Sequence, residues 1–282
     1  MLKRLSLSAI TLMLAAAWSS AFAAQTQVIW HGHATVEIIT PKGAVLMIDP
    51  WLGNPKNPHK DDKPIESLER VDYVLLTHAH QDHIADATPI GKKTGARLVG
   101  QPELGKQMAK LKGFPGEQMG FDTLMNMGGS IEVADGEVTI AMTPAMHSSG
   151  MDNPFAEDDA KKAPVVYAGN PAGFIVSIKD GPTIYHTGDT DYFGDMALIG
   201  ERYAPDLALL AAGDHFTMGP EWAARAGQAV KAGVAVPIHW GTFGVLAQSM
   251  DPFVKEAKRL GVKTKIITPG DKLVYEGKKL KN

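Results

Sequence analysis

Four side chains that bind divalent metals lie within six consecutive residues of this sequence. His78, His80, Asp82 and His83 belong to the run His-Ala-His-Gln-Asp-His, which directly follows a buried-type strand pattern at 73–77. Imidazole nitrogens and carboxylate oxygens are the ligands that a borderline divalent ion such as zinc prefers. The end of a strand also holds side chains more precisely than a mobile loop. The run therefore predicts a metal site rather than a polar surface turn.

Three further candidate ligands follow predicted strands elsewhere in the chain. His147 comes after the strand pattern at 138–142, Asp189 after 183–186 and His239 after 234–238. A lone histidine at a strand end more often has a structural role. Because all three residues are expected at the same edge of a sheet, each is a stronger candidate for a metal ligand. Cysteine is absent, so any metal is bound by histidine and carboxylate alone. Four residues at 78–83 cannot complete two metal shells, and these three supply what is missing.

The elements that must position these residues alternate between strands and helices. The segments 27–39 and 44–48, joined by the Pro-Lys-Gly turn at 41–43, predict a hairpin. Helical patterns occupy 86–94 and 103–111. The remaining strand patterns lie at 73–77, 97–100, 131–133, 138–142, 173–178, 183–186, 207–210 and 234–238. This alternation indicates a layered α/β protein.

The segment 148–173 shows no clear pattern of secondary structure. It is rich in Asp, Ala, Pro and Gly, and it contains an acidic cluster followed by a pair of lysines. A loop of this length is usually functional or disordered. Because it follows His147, we expect a flap over the site rather than a solvated surface loop.

The N-terminus has the pattern of a secretory signal peptide. Lys3 and Arg4 precede an apolar stretch at 5–18, and Ala21-Phe22-Ala23 forms an A-x-A cleavage site. The apolar stretch is shorter than the ~20 residues that a membrane span needs. We expect residues 1–23 to be the signal peptide, residues 24–282 to form one domain, and the mature protein to be periplasmic without a transmembrane segment.

The charge balance disfavours a nucleic-acid partner. The formal net charge is -3, and removal of Lys3 and Arg4 leaves -5, with the lysines scattered rather than clustered. A small-molecule substrate is therefore the expectation, and the oligomeric state is left open.

Several motifs together resemble the metallo-β-lactamase superfamily. They are the run at 78–83, the isolated His147, the turn around Asp189, and the segments WHGHAT (30–35), IDPW (48–51), TGDTDYFGDM (187–196), HFTMG (215–219) and PIHWGTF (237–243). The likeness covers almost all of the predicted mature chain. It is greatest to metal-dependent hydrolases related to ascorbate-6-phosphate lactonase and to the phospholipase D that hydrolyses N-acyl phosphatidylethanolamine.

This resemblance implies an αββα sandwich, with two mixed β-sheets back to back and helices outside. It also implies one metal on His78, His80 and His147, and a second on Asp82, His83 and His239. Asp189 would bridge the two ions. Zinc is the expected metal, with manganese or iron also compatible with these ligands.

The expected chemistry is hydrolysis of an ester, lactone or phosphodiester by a metal-bridging hydroxide, with Asp82 and Asp189 as catalytic residues. Asp82 would orient the nucleophile or relay its proton as well as bind metal. His33 and His215 are candidate substrate contacts, although His33 could instead tie down its strand, and Asp214 stands where the family more often has glycine. His186 is a candidate partner of the Asp189 turn.

Other functions on the same fold are less well supported by the sequence. Di-iron redox proteins usually carry an acidic residue at the position of His80, and this chain has no flavin domain. A catalytically silent metal-binding protein is disfavoured by the complete ligand set. A nuclease is disfavoured by the acidic balance, and a true β-lactamase by the likeness to the lactonase branch.

Overall fold

The computed structural model describes residues 25–157, 159 and 161–282. The predicted signal peptide, residues 1–23, lies outside the described residues. No helix in the described ranges is long and apolar enough to cross a membrane.

A seven-stranded sheet contains the beginning of the described chain and its end. Its strands are β1 (Gln25–Trp30), β2 (Val36–Ile39), β3 (Val45–Ile48), β4 (Tyr73–Leu75), β5 (Arg97–Val99), β14 (Lys272–Glu276) and β15 (Lys279–Leu280). Their order across the sheet is β15-β14-β1-β2-β3-β4-β5. The strands from β3 to β5 are parallel, and the remaining pairs are antiparallel.

A six-stranded sheet is built from the middle of the chain. Its strands are β6 (Ser130–Val133), β7 (Val138–Pro144), β10 (Ala172–Ile178), β11 (Thr183–His186), β12 (Leu207–Ala211) and β13 (Val234–Ile238). They lie in the order β13-β12-β11-β10-β7-β6, with β11, β12 and β13 parallel. A separate two-stranded ribbon pairs β8 (Gly150–Asp152) with β9 (Val165–Tyr167).

Seven α-helices connect and cover the strands in the described residues. They are α1 (Pro64–Ser67), α2 (Gln81–Ile84), α3 (Ala87–Thr94), α4 (Pro102–Lys112), α5 (Met196–Tyr203), α6 (Pro220–Ala229) and α7 (Asp251–Leu260). Short 3-10 turns occupy Gly116–Gln118 and Pro154–Ala156. The helices α4 and α7 have proline in the first turn and end at a left-handed glycine, the arrangement that sets clear helix boundaries.

The alternation of side chains along each strand separates three apolar layers. In β3, Leu46 and Ile48 face the other sheet, whereas Met47 packs with the helices that follow. In β11, Ile184 faces inward and Tyr185 packs under α5 and α6. Successive strand residues point to opposite faces, so each sheet is covered on both sides. The predicted αββα sandwich is confirmed.

Two segments differ from the sequence-based expectation. The predicted strand at 27–39 is interrupted at residues 31–35, where Gly32 and His33 have positive φ and the chain turns before β2. The segment 148–173 contains the ribbon of β8 and β9 and the start of β10, so it is more regular than predicted. Its short strands lack an alternating apolar pattern because β8 and β9 pair only with each other.

Candidate metal centre

The candidate ligands lie at one edge of the sandwich because they follow strands that run in the same direction. His78 comes soon after β4, and Asp49 directly follows the parallel strand β3. In the other sheet Asp189 follows β11 and His239 directly follows β13. Carboxyl ends of parallel strands meet at one edge of a sheet, which is where ligands bind in open α/β sheets.

A first group of three histidines converges beside β4. His78 Nε2 lies 2.9 Å from His80 Nδ1, and His147 Nε2 lies 3.2 Å from the same atom. All three ligand atoms lie within 4.8 Å of one another, so a single ion could contact each of them. Three nitrogens at this spacing match a three-histidine metal site.

A second group contains Asp82, His83 and His239. The Asp82 Oδ2 and His83 Nε2 atoms are 3.9 Å apart, and both lie within 4.8 Å of a ligand atom of His239. The structure therefore brings together the residues that the sequence assigned to the second metal. His33 joins this group, with its Nε2 atom 2.9 Å from Asp82 Oδ2.

Asp189 lies between the two groups. Its Oδ2 atom is 3.1 Å from His239 Nε2 and 3.3 Å from His83 Nε2, both in the second group. The same oxygen is 3.8 Å from His147 Nε2 in the first group. One carboxylate thus approaches ligand atoms of both groups, which is the placement that a bridging ligand requires.

Hydrogen bonds on the outer ring nitrogens leave the inner nitrogens available. Asp49 Oδ2 accepts from His83 Nδ1 at 2.8 Å and from the Thr77 hydroxyl at 2.6 Å. Because the Thr77 hydroxyl donates to Asp49, its oxygen accepts from His78 Nδ1 at 3.0 Å. Each hydrogen bond places a proton on Nδ1, so that Nε2 is the nitrogen that faces the site and can bind a metal ion once it is unprotonated.

His80 is fixed in the same way by a different atom. Its Nε2 lies 3.3 Å from Ser148 Oγ, which leaves Nδ1 facing His78 and His147. Burial, and then the charge of His83, lower the pKa of His78 well below its usual value and also lower the pKa of His80. Burial lowers the pKa of His147 as well. These imidazoles are therefore neutral at pH 7, the form that binds metal.

The second group has the opposite electrostatic balance. Burial by itself lowers the pKa of His83, but the carboxylates of Asp189 and Asp49 raise it well above its usual value. Burial likewise opposes ionisation of Asp189, yet His239 and His83 hold its pKa well below the ordinary range. The buried Asp189 carboxylate is ionised and is stabilised by nearby positive charge, which a bound metal ion would also provide.

Several buried polar atoms of the site have no well-aligned hydrogen-bond partner, as do some buried hydroxyl and amide atoms elsewhere in the described residues. His83 Nε2 and His239 Nε2 lie within 3.3 Å of Asp189 Oδ2 without a well-aligned hydrogen bond, and Asp189 Oδ1 has no partner among the described residues. Leaving such groups unpaired costs about 1–3 kcal/mol each. All three atoms belong to ligand candidates, so the donor set fits divalent cations.

His33 is fully buried and hydrogen bonded at both nitrogens. Its Nδ1 lies 3.0 Å from Thr242 Oγ1, and its ring centroid lies 3.7 Å from that of His239. A carboxylate only accepts hydrogen bonds, so His33 Nε2 donates to Asp82 and Nδ1 accepts from the Thr242 hydroxyl. Burial by itself raises the pKa of Asp82, but the bond from His33 lowers it below the usual value. His33 thus holds Asp82 in place.

The other histidines are placed as follows. His215 is exposed, lies edge-on to Phe216 and belongs to neither ligand group. His186 is buried, binds the backbone oxygen of Ala34 and accepts from the Gly188 backbone N–H, so it supports the turn that carries Asp189. His31 pairs with Glu37.

Three residues of the site adopt left-handed backbone conformations. The φ angles are 50° at His33, 46° at Asp49 and 66° at His239. Such conformations cost about 1–3 kcal/mol each in residues other than glycine and cluster at functional sites. They show that the fold holds these side chains against local preference.

Sequence reasoning missed Asp49, Thr77 and Thr242 as supporting residues. Asp49 stood in the segment IDPW that carried the family resemblance, and it ends a fully buried strand, which was the available signal. Thr77 and Thr242 carried no signal of their own, since their roles depend on contacts with residues 28 and 209 positions away.

Comparison with known proteins agrees with this geometry. A β-lactamase superfamily domain family matches residues 45–240. A UPF0173 metal-dependent hydrolase of Thermodesulfovibrio yellowstonii is 46% identical over 242 residues, covering 86% of this chain and 88% of that protein. One from Archaeoglobus fulgidus is 38% identical, covering 87% and 97%.

A solved structure has a similar fold. The novel metallo hydrolase Igni18 of Ignicoccus hospitalis is 33% identical, with a TM-score of 0.74, covering 89% of this chain and 98% of that one. The narrower likeness to a lactonase or phospholipase D stays a resemblance. The chain belongs to the UPF0173 metal-dependent hydrolases of the β-lactamase superfamily.

Proposed function

We propose that this protein is an exported hydrolase that cleaves a small molecule with the help of two divalent metal ions. The observation that carries the proposal is the position of Asp189 Oδ2, 3.8 Å from His147 Nε2 and 3.1 Å from His239 Nε2. Because one carboxylate oxygen lies near both ligand groups, two ions could share it. The other ligands to these ions would be the remaining six of the seven residues predicted from the sequence.

The seven candidate ligands would hold the two ions, which would lower the pKa of a shared water far below its value in bulk water, to about 7, and so supply hydroxide at neutral pH. The protein's own residues hold and orient the reacting groups. Asp82 is fixed by His33 at 2.9 Å and remains 31% exposed, so its carboxylate can bind a metal ion and orient the nucleophile. Asp49 and Thr77 hold the imidazoles of His83 and His78 in place, and this arrangement preserves the spacing of the site during turnover.

Zinc is the metal we propose. The donor set contains five imidazoles and two carboxylates and no thiolate, and zinc prefers such nitrogen-rich, low-coordination sites. Iron and manganese are alternatives that metal analysis will separate.

The proposed substrates are small molecules with an ester, lactone or phosphodiester bond. Export to the periplasm is proposed from the sequence of residues 1–23 alone. N-terminal sequencing of protein isolated from periplasmic extract should give a chain that starts at Ala24. A chain starting at Met1 would contradict export by this route.

Metal content and turnover measured together test the central proposal. Protein purified without chelator should contain about two zinc ions per chain by mass spectrometry and hydrolyse at least one member of an ester, lactone and phosphodiester panel. Asp189→Ala should lose metal and turnover together. Asp195→Ala, an exposed aspartate in the same loop, serves as the control and should keep both. Full activity of Asp189→Ala would refute the two-metal proposal.

A further inference from the structure

Exposed apolar side chains surround the candidate metal centre. The segments 144–149, 165–172, 213–219 and 239–250 each carry at least one large apolar side chain that is between 38% and 61% exposed. They are Met146, Val165, Tyr167, Phe216, Phe243 and Val245, here called the apolar rim. Isolated apolar residues on a surface are ordinary, but a group around a concave site marks a binding surface.

Backbone hydrogen bonds join the loops of the apolar rim to one another. The Met146 N–H donates to Thr190 Oγ1 at 2.9 Å, and the Asp191 N–H donates to the Met146 oxygen at 3.1 Å. The Ala247 N–H donates to the Gly213 oxygen at 2.8 Å, which ties the loop of Phe243 and Val245 to the loop of Phe216. The Met218 N–H also donates to the Thr190 oxygen at 3.0 Å, and the Ala168 N–H donates to the Ser149 oxygen at 3.3 Å, so the rim is one connected structure.

The apolar rim reaches both ligand groups. Phe243 stacks on Trp51 with ring centroids 5.8 Å apart, and both rings meet His33 edge-on at 5.6 and 5.4 Å. Since His33 contacts Asp82 and His239, this aromatic pair borders the second group. On the other side, Val165 and Tyr167 line a cavity of about 310 Å³ together with His147 of the first group.

The described segments of the rim supply no cationic side chain for an anionic substrate, which would depend on the metal ions for positive charge. The segments 144–149, 165–172, 188–195, 213–219 and 239–250 contain no lysine or arginine. Their exposed charged residues are acidic, namely Asp191, Asp195 and Asp214. Sites that bind phosphate or carboxylate usually place arginine or lysine against the anion.

Two lysines lie nearby but come from other segments. Lys112 Nζ donates to Gln81 Oε1 at 3.3 Å, and the exposed Lys56 lies over the backbone of Gly241. The Lys112 side chain is directed at another side chain, whereas Lys56 lies beside Gly241 at the edge of the site. The rim itself offers apolar surface and negative charge.

We propose that the apolar rim binds the uncharged alkyl or aryl part of the substrate, so that the bond hydrolysed is a carbonyl ester or lactone rather than a phosphodiester. This inference rests on the proposed function. In the reaction the oxygen of water bonds to the carbonyl carbon, the acyl C–O bond breaks, and the leaving oxygen takes a proton. The products are a carboxylic acid and an alcohol, joined in one molecule when the substrate is a lactone.

Three substrates with the same leaving group separate these possibilities. The zinc-loaded protein is assayed with p-nitrophenyl octanoate, p-nitrophenyl acetate and bis(p-nitrophenyl) phosphate. We expect kcat/KM for octanoate to exceed that for acetate by about tenfold or more, since each buried methylene adds binding energy. The diester should be the poorest of the three.

Matched variants test whether the rim causes this preference. Phe243→Ser combined with Val245→Ser should lower the ratio of octanoate to acetate kcat/KM by about tenfold. Phe121→Ser is the control, because Phe121 is fully exposed and lies next to Asp122, which pairs with Arg97 at the far end of β5. This control should leave the ratio unchanged. Equal ratios in the wild type and in the double variant would overturn the inference.

Binding measurements keep the two proposals separable. Calorimetry with N-octylacetamide and with dibutyl phosphate compares a neutral and an anionic apolar ligand without turnover. Tighter binding of the neutral ligand supports the inference even when no substrate is hydrolysed, an outcome that would refute only the proposed function. Faster hydrolysis of the diester, or tighter binding of dibutyl phosphate, would refute the inference and leave the hydrolase function standing.

Discussion

Asp49 offers a sharp test of how the fold prepares the metal centre. Its carboxylate is fully buried and accepts three hydrogen bonds, from the Thr77 backbone N–H at 2.8 Å, the Thr77 hydroxyl at 2.6 Å and His83 Nδ1 at 2.8 Å. The substitution Asp49→Asn keeps the size of the side chain but turns one acceptor into a donor. In either orientation of the amide, an N–H group then faces another N–H or O–H donor.

The expected magnitude follows from these contacts. A donor left facing a donor in a buried site costs about 1–3 kcal/mol of folding free energy. If the amide faces His83, the imidazole must move its proton to Nε2, which removes the lone pair directed at the second metal. Loss of such an outer partner typically weakens metal binding by about 10–100-fold, which corresponds to about 1.4–2.8 kcal/mol.

Chelator competition and urea unfolding measure the two effects separately. Asp49→Asn should release one zinc ion at a lower chelator concentration than the wild type and should unfold at a lower urea concentration when metal-free. Glu137→Gln is the matched control, since Glu137 is also buried and accepts from a threonine hydroxyl and a backbone N–H but lies away from the site. It should lose stability without a change in zinc affinity. Unchanged zinc affinity in Asp49→Asn would refute the proposed role of Asp49.

Three further predictions concern the same site. His33→Ala should free the Asp82 side chain and weaken the binding of one zinc ion by about tenfold in chelator competition. The control His59→Ala, at an exposed histidine outside the site, should leave zinc affinity unchanged. Equal zinc affinities in the two variants would show that His33 does not position Asp82. Burial, and then His239, lower the pKa of His33 from 6.5 to about 4. Between these two pH values the unfolded chain binds more protons than the folded protein. The metal-free protein therefore keeps the full contribution of His33 to its folding stability above pH 6.5 and loses it as the pH decreases toward 4. An NMR titration of the metal-free protein should accordingly find this ring neutral at pH 5.5, and a charged ring there would contradict the assignment. Gly213→Ala should displace His239, because an added methyl group would lie 2.8 Å from His239 Nδ1; zinc analysis should show loss of one ion, while Gly194→Ala, with open space at its Cα, should keep two.

The sequence patterns predicted a layered α/β protein and the candidate ligands that the structure brings together, and the family resemblance implied the sandwich and the division of these ligands into two groups. His78, His80, Asp82 and His83 are close in sequence, and β4 and α2 place them on one short segment. His147, Asp189 and His239 were found because each follows a strand with a strong apolar pattern. Strand patterns can identify such residues because the carboxyl ends of parallel strands lie at one edge of a sheet.

Contacts between distant residues could not be predicted in this way. His33 was expected to touch substrate or to tie down its strand, but its position depends on Thr242, 209 residues away, and on a left-handed turn that interrupts the predicted strand. The pairing of β1 with β14 joins the two ends of the described chain. The ribbon of β8 and β9 was missed because its three-residue strands carry no periodic signal.

The central claim is that two ions share Asp189. Anomalous X-ray diffraction from zinc-loaded crystals, recorded on both sides of the zinc absorption edge, tests it most directly. We expect two peaks about 3.5–4 Å apart, one contacted by His78, His80 and His147 and the other by Asp82, His83 and His239, with Asp189 between them. A single peak at full zinc loading, or two peaks with Asp189 contacting only one, would contradict the account.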